Sequence, residues 1–296
     1  MHDMFYFTDI HGQSWLYNEI IKYCQTDPEA TIIFGGDACD RGPHGYKIMK
    51  DLLQNPQIIY LKGNHEDLFV KAAYEILGAH SATDIQYEYI HNIHDRDEAA
   101  GIIIDMQDNY YKHTALHVYN GGLNTLIDWM LDGADEDFVS RIESLPICFQ
   151  YKNIDFCHAG GTVKTFDKVY TAEYNGKNPD YNSVKRCIWD RDCWHIGWAN
   201  DRICIHGHTP SIFLPAKFYG SSDKSEANAR PAAWHGMYQD QYNGLKIDMD
   251  TGATFTGRAY VLNLHTFYVT GFQDFDIDFP DKKTHKITQF ANYKIK

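Results

Sequence analysis

Short apolar runs alternate with amphipathic stretches over the first 77 residues of the chain. Three runs, Met4–Thr8, Thr31–Phe34 and Gln57–Leu61, are rich in β-branched or aromatic residues, which is typical of buried strands. Between them, Ser14–Cys24 and Tyr46–Leu53 carry apolar residues at helical spacing. This order predicts parallel strands with right-handed crossovers, so the carboxyl ends of the strands share one edge of a sheet.

The rest of the chain divides into a helical part and a second strand-rich part. Residues from about 81 to 145 favour helices and are interpreted as a helical insert. Two long polar stretches, Gly160–Ser183 and Ser211–Asn243, are expected to be lids or mobile connections, and the second is a candidate flap. The whole chain, 1–296, is interpreted as one α/β domain. Six further apolar runs predict strands: Ile147–Tyr151, Ile154–Cys157, Arg202–Ile205, Leu245–Ile247, Arg258–Leu264 and Phe267–Thr270.

The charge balance and the cysteines limit the classes of partner and compartment. The chain has 40 acidic and 27 basic residues, so its formal charge is −13. A surface of this sign repels phosphate backbones and anionic lipid, and we expect no stable binding of nucleic acid or membranes. The seven cysteines form no CxxC pair and indicate reduced thiols in a cytoplasmic protein. We expect no signal peptide and no membrane-spanning helix.

Metal-ligating side chains follow each of the first three predicted strands. The turns read DIHG at 9–12, GDACDRG at 36–42 and GNHE at 63–66. Asp9, Asp37 and Asn64 are 28 and 27 residues apart, which matches one strand and one helix per turn and predicts that they converge. Carboxylate, imidazole and amide ligands suit Mn, Fe or Zn better than Ca. Asp, Asn and Gly also form ordinary turns, but three such turns at successive strand ends favour a metal site.

Two histidines follow strands of the second block. His158 stands in CHAG at 157–160, and His208 stands in HGHTP at 206–210. A single histidine after a strand is usually structural, but two of them, each close to a glycine, favour metal ligation. His206 lies on the strand side of its glycine and is interpreted as a neighbour of the site.

Taken in chain order, these five blocks resemble the calcineurin-like metallophosphoesterases and, within them, the phosphoprotein phosphatase branch. Three further segments, NGG at 120–122, IWDR at 188–191 and DTGA at 250–253, are similar to the bacteriophage lambda type of Ser/Thr phosphatase. The resemblance extends from about Met4 to Phe272. It implies two packed β-sheets flanked by helices, with a dinuclear metal site at the strand ends, and it suggests a phage or bacterial source.

The resemblance also implies the metal ligands and the reaction. One metal would be held by Asp9, His11 and Asp37, and the second by Asp37, Asn64, His158 and His208. The ions would be divalent, with Mn favoured and Fe, Zn and Ni as alternatives. They would hold the hydroxide that attacks phosphorus directly.

Four residues beside the ligands would complete the site. His65 would be the general acid, and Asp40 would orient it and hold it protonated. Arg41 and Arg191 would bind the phosphate, because a guanidinium matches phosphate in bidentate geometry.

The leading functional hypothesis is a metal-dependent phosphomonoesterase acting on phosphoserine and phosphothreonine in proteins, with phosphotyrosine as a further candidate. The first alternative is a nucleotide hydrolase such as a symmetric dinucleoside tetraphosphatase. The nucleotide-hydrolase branch of the family that this sequence resembles usually lacks the second Asp of the Gly-Asp block and has Asp after Gly-Asn-His. Asp40 and Glu66 of this sequence therefore favour the protein phosphatase branch. The second alternative is a metal-binding scaffold without catalysis.

Overall fold

The computed structural model describes residues 2–79, 89–191, 198–199, 201–211, 245–277 and 284–294. The candidate flap Ser211–Asn243 lies outside the described residues from position 212 onwards. Among the described residues, no helix is both long enough and apolar enough to cross a bilayer.

The first sheet contains six strands in the order β10-β9-β8-β1-β2-β3. Strands β1, β2 and β3 pair in parallel, as the repeating strand and helix pattern predicts. The C-terminal strands join the same sheet because β8 pairs with β1 in antiparallel fashion, with Phe5 facing Asn263. The six strands are β1 (Met4–Phe7), β2 (Thr31–Phe34), β3 (Ile58–Tyr60), β8 (Arg258–Asn263), β9 (Tyr268–Asp274) and β10 (Ile287–Lys294).

The second sheet contains four strands in the order β4-β5-β6-β7. Here β4 and β5 form an antiparallel pair, and β5, β6 and β7 run in parallel. The carboxyl ends of β5 and β6 therefore point to one edge, where His158 and His208 follow them. The strands are β4 (Cys148–Tyr151), β5 (Ile154–Cys157), β6 (Ile203–His206) and β7 (Leu245–Asp248).

Helices cover the outer faces of both sheets. The described part of the predicted helical insert, residues 89–145, is a run of short helices. The polar stretch Gly160–Ser183, expected to be a lid or mobile, instead contains a complete helix and the start of another. The helices are α1 (Ser14–Cys24), α2 (Gly45–Gln54), α3 (Asn64–Ala79), α4 (Arg96–Asp108), α5 (Lys112–Tyr119), α6 (Leu123–Leu131), α7 (Glu136–Glu143), α8 (Val163–Tyr174), α9 (Tyr181–Trp189) and α10 (Ala253–Thr256).

The alternation of side chains along the strands builds three apolar cores. Phe5 and Phe7 of β1 face the core under the helices, whereas Tyr6 between them faces the core between the sheets. Phe156 of β5 joins Tyr6 in that inter-sheet core, with ring centroids 5.5 Å apart. The next residue, Cys157, faces a third core under α8 and α9. The predicted α/β fold with two sheets flanked by helices is confirmed.

Candidate active site

The turns after β1 and β2 are joined by backbone hydrogen bonds that bring their polar side chains together. The Asp9 amide donates to the Gly36 carbonyl at 3.0 Å, and the His11 amide donates to the Asp37 carbonyl at 3.0 Å. The His208 amide donates to both carboxylate oxygens of Asp9, each at 3.1 Å, and so attaches the second sheet to the first. The strand ends of both sheets therefore meet at one place.

Most of the predicted site residues in these turns have a left-handed backbone. Non-glycine residues adopt positive φ in only a few per cent of cases. Strained conformations of this kind cluster at functional sites, where the surrounding structure has to enforce them. The residues and their φ values are Asp9 at 54°, His11 at 42°, Asp37 at 60°, Asp40 at 70°, Arg41 at 62° and His208 at 72°.

Two glycines allow the turns to approach this closely. A Cβ on Gly36, whose φ is 98°, would lie 2.6 Å from the Gly63 amide nitrogen. A Cβ on Gly207 would lie 1.9 Å from Oδ2 of Asp9. Any side chain at either position would push apart the segments that carry the predicted metal ligands.

Asp37 is shared by two groups of side chains that could hold a metal ion. Its carboxylate lies with His11 and His65 in one group, and with His158 and His208 in the other. Within each group the ligand atoms lie within 4.8 Å of one another. This is the arrangement expected if Asp37 lies between two ions.

The ring orientations of His11 and His158 are fixed by backbone carbonyls. Nδ1 of His11 donates to the Cys39 carbonyl at 2.8 Å, and Nδ1 of His158 donates to the Gly35 carbonyl at 2.9 Å. In each ring Nε2 is directed towards Asp37, at 3.5 Å for His11 and 3.3 Å for His158. A hydrogen bond from Nδ1 to a backbone carbonyl sets the tautomer that leaves Nε2 available to a metal.

His208 is a buried imidazole, and neither of its ring nitrogens has a hydrogen-bond partner among the residues that the structure describes. Such a group is costly to bury unless something binds it. Asn64 lies nearby, because its Oδ1 is 3.0 Å from Nε2 of His158. The unpartnered imidazole beside amide and carboxylate oxygens fits a divalent metal ion.

Burial of several carboxylates at this point creates a demand for positive charge. Burial, together with the Asp250 and Asp37 charges, raises the pKa of Asp9 well above its usual range. Burial alone would also raise the pKa of Asp37. The electrostatic attraction of His158 and His65 outweighs burial and holds that pKa well below its usual range. Burial by itself lowers the pKa of His158. The negative charges of Asp37 and Asp9 outweigh burial and raise that pKa to about 10. Divalent cations would supply positive charge at this place, so the buried carboxylate and imidazole groups fit such ions.

A buried hydrogen-bond network surrounds Asp40. Nδ1 of His65 lies 2.7 Å from Oδ2 of Asp40, and Nε2 of His117 lies 2.8 Å from its Oδ1. The Thr125 hydroxyl donates to the same Oδ1 at 2.9 Å. Burial would raise the pKa of Asp40, but His117 and His65 hold it well below its usual range. Asp40 is therefore an ionised carboxylate that orients His65.

The two predicted phosphate ligands occupy different positions. The exposed Arg41 places Nη1 2.8 Å from Nε2 of His11 and Nη2 2.9 Å from Nε2 of His65. Its backbone amide donates to the Gly121 carbonyl at 2.9 Å, which connects the NGG segment to the site. Arg191 is exposed and donates from Nη1 to the His208 carbonyl at 3.1 Å, at the rim. Both guanidinium groups border the candidate metal ligands.

Glu66 holds two of the turns together. Its Oε2 accepts hydrogen bonds from the amides of Asp37, at 2.9 Å, and Gly63, at 2.8 Å. Its Oε1 accepts from the Ala38 amide at 2.7 Å and from the Tyr60 hydroxyl at 2.8 Å. Glu66 therefore positions the ligand-bearing backbone rather than the substrate.

Sequence reasoning missed three residues of this region. His117 and Thr125 lie in α5 and α6, and only the fold brings them to Asp40. Asp250 belongs to the DTGA segment, which by itself indicates no role for this residue. It is buried near Asp9 and Asp37, and burial raises its pKa to about 6. The NGG segment between α5 and α6 was the signal that this insert reaches the site.

The sequence model of the calcineurin-like phosphoesterase family matches residues 5–240. No curated protein matches the sequence.

Solved structures with a similar chain course include phosphatases of different kinds. A candidate diadenosine tetraphosphatase is 14% identical, with 97% of this chain and 93% of that chain covered and a TM-score of 0.42. A cold-active protein tyrosine phosphatase of Shewanella sp. is 14% identical, with 92% and 77% covered and a TM-score of 0.45. A protein serine/threonine phosphatase of Saccharomyces cerevisiae is 12% identical, with 88% and 72% covered and a TM-score of 0.41.

Proposed function

This chain belongs to the calcineurin-like phosphoesterase family, and from that premise we propose that it hydrolyses phosphoserine and phosphothreonine in proteins. The observation that carries the proposal is the buried pair of His65 and Asp40, 2.7 Å apart, directly beside the shared carboxylate of Asp37. An alkoxide released from serine or threonine is a poor leaving group and needs a proton. The pair is placed to supply it.

The metal ligands proposed here are Asp9, His11, Asp37, Asn64, His158 and His208. Two divalent ions held by these residues, with Mn favoured, would activate water and stabilise the charge on the phosphoryl oxygens. The chain itself orients the ligands: carbonyls fix the rings of His11 and His158, and Glu66 fixes the turn that carries Asp37.

His65 is proposed as the general acid that protonates the leaving oxygen. Its Nδ1 proton is retained by the hydrogen bond to Asp40. The proton for transfer would therefore be carried on Nε2, once the substrate takes the place of the Arg41 Nη2 group that lies 2.9 Å from it. Asp40 is held in turn by His117 and Thr125. Because Asp40 stays ionised, it stabilises the protonated imidazole and fixes the ring plane.

Arg41 and Arg191 are proposed to bind the phosphate. Arg41 reaches both His11 and His65, so its two Nη groups lie between the ligand set and the acid. A phosphoryl group at this position would receive bidentate hydrogen bonds from the guanidinium. Arg191, at the rim beside His208, would contact the phosphate or the segment that carries it.

The decisive experiment is a substrate panel on protein reconstituted with Mn. We expect kcat/KM to be higher for a phosphoserine or phosphothreonine peptide than for diadenosine tetraphosphate. The His65→Asn variant serves as the background. A preference for the dinucleotide would favour the nucleotide hydrolase, and no turnover of any phosphate ester would favour the non-catalytic scaffold.

A further inference from the structure

Four cysteines converge on the face of the second sheet that packs against α8 and α9. Cys148, Cys157 and Cys204 come from β4, β5 and β6, and Cys187 comes from α9. All four belong to the same apolar core and are at most 5% exposed. Cys148 and Cys157 are direct cross-strand partners. Four separate elements thus bring one thiol each to a single place.

Three of the four sulfur atoms are close enough to share one ion. The Sγ atoms of Cys148, Cys157 and Cys187 all lie within 4.8 Å of one another. Those of Cys148 and Cys187 are 3.9 Å apart. Cys204 stands on the neighbouring strand β6 in the same apolar core, with its Sγ more than 4.8 Å from at least one of these three sulfur atoms. With Zn–S bonds of about 2.3 Å, a tetrahedral centre has sulfur atoms about 3.8 Å apart.

We propose that Cys148, Cys157, Cys187 and Cys204 form a structural site for a thiophilic metal ion, Zn²⁺, separate from the ligand set of the candidate active site. Three thiolates already lie together, and a change of the Cys204 rotamer would bring the fourth and complete the closed tetrahedral coordination sphere that is typical of structural zinc. This inference does not depend on the proposed phosphatase activity.

The charged groups around the cluster suit thiolates. Lys246 is fully buried, with Nζ 5.1 Å from the centre of the Trp198 ring, and it is near enough to Cys204 to act on it electrostatically. Asp155, the buried acid of this region, is already engaged by Arg202 at 2.6 Å and by the Trp198 indole at 2.7 Å. The lysine therefore offsets part of the negative charge of a zinc centre with four thiolates.

Metal binding at the proposed site would displace the thiol protons. Cys157 donates its thiol proton to the Gly160 carbonyl at 3.1 Å. Binding of Zn²⁺ would release this proton and those of the other three thiols to solvent. The centre would carry a net charge of −2, next to the positive charge of Lys246.

The ion would hold α9 against three strands close to a proposed active-site ligand. His158 follows Cys157 directly, and the Ala159 amide donates to the Cys187 carbonyl at 2.7 Å. The Zn²⁺ site would therefore restrain both ends of the backbone segment that carries His158.

The test uses the full chain stripped of metal and then titrated with Co²⁺, followed by Zn²⁺. Thiolate ligands give Co²⁺ an intense sulfur-to-metal charge-transfer band, whereas the nitrogen and oxygen ligands of the active site do not. We expect the wild type to show this band and Zn²⁺ to abolish it. Cys187→Ser should lose most of the band. Cys24→Ser, which changes a buried cysteine of another core, should keep it.

Two results would overturn the proposal. One is a wild-type protein that gives no thiolate band with Co²⁺, a result that does not depend on whether any variant folds. The other is a full band in both Cys187→Ser and Cys148→Ser. Thiol titration of the denatured chain supplies a further check, because seven free thiols are expected. A count of five would indicate a disulfide in place of the metal site.

Discussion

Replacement of His65 by asparagine should separate acid catalysis from metal binding. Nδ1 of His65 is bonded to Asp40 at 2.7 Å, and Nε2 reaches Arg41 at 2.9 Å. An asparagine amide can replace the Nδ1 donor, so the buried Asp40 carboxylate keeps its partner. It does not extend to the position of Nε2, so the proton for the leaving group is lost.

The size of the effect follows from this geometry. Loss of general acid catalysis costs roughly 10²–10⁴ in kcat, which corresponds to about 3–5.5 kcal/mol in the activation barrier. The free energy of unfolding should change by only about 1 kcal/mol, because a single partly exposed hydrogen bond is removed. Metal content should not change, since the proposed ligands are intact.

The assay compares phenyl phosphate with p-nitrophenyl phosphate at saturating Mn. Phenolate needs a proton to leave, so His65→Asn should lower its kcat by the full amount. p-Nitrophenolate needs little protonation, so its loss should stay below about tenfold. His285→Asn is a matched control, because that buried histidine also pairs with a carboxylate, Asp274, at 2.6 Å. Equal losses for both substrates would refute the assignment of His65 as the acid.

Three further variants and one treatment test other parts of the site. Gly207→Ala should strip metal from the protein, because its Cβ would lie 1.9 Å from Oδ2 of Asp9; full metal content by elemental analysis would contradict this. His117→Ala should lower the free energy of unfolding by about 1.5–3 kcal/mol, since it removes a buried bond to the Asp40 carboxylate; an unchanged urea midpoint would argue against that bond. Arg41→Ala should weaken inhibition by phosphate and vanadate at constant metal content, and unchanged inhibition would remove Arg41 from the phosphate site. Chelation should abolish activity and Mn should restore it; activity that survives complete metal removal would refute a metal-dependent reaction.

The parts of the fold that local pattern determines could be predicted from the sequence. Predicted and observed bounds agree for α1, β2 and β5, because each is a compact run with one clear period. The turns after β1, β2 and β3 could be located because strand ends in a parallel sheet share an edge.

The parts that depend on tertiary contacts could not be predicted. Helix α8 lies in a stretch rich in polar residues, and its signals are the capping box of Thr162 with Thr165 and the buried pair Phe166 and Val169. The polar composition of the stretch outweighs these local signals, so the sequence predicts a lid or a mobile connection instead of a helix. His117 is separated from Asp40 by 77 residues, so no local pattern connects them.

The position of β1 between β2 and β8 has a consequence for how the protein is made. Asn263, the partner of Phe5 across the sheet, is synthesised 258 residues after it. At about 5–20 residues per second, the interval is on the order of tens of seconds. Asp9 and His11 emerge with β1, whereas His208 and Asp250 come much later. A nascent chain that ends before His208 therefore has the first half of the proposed ligand set without the second. Metal-dependent activity should begin only after β8 has joined the sheet.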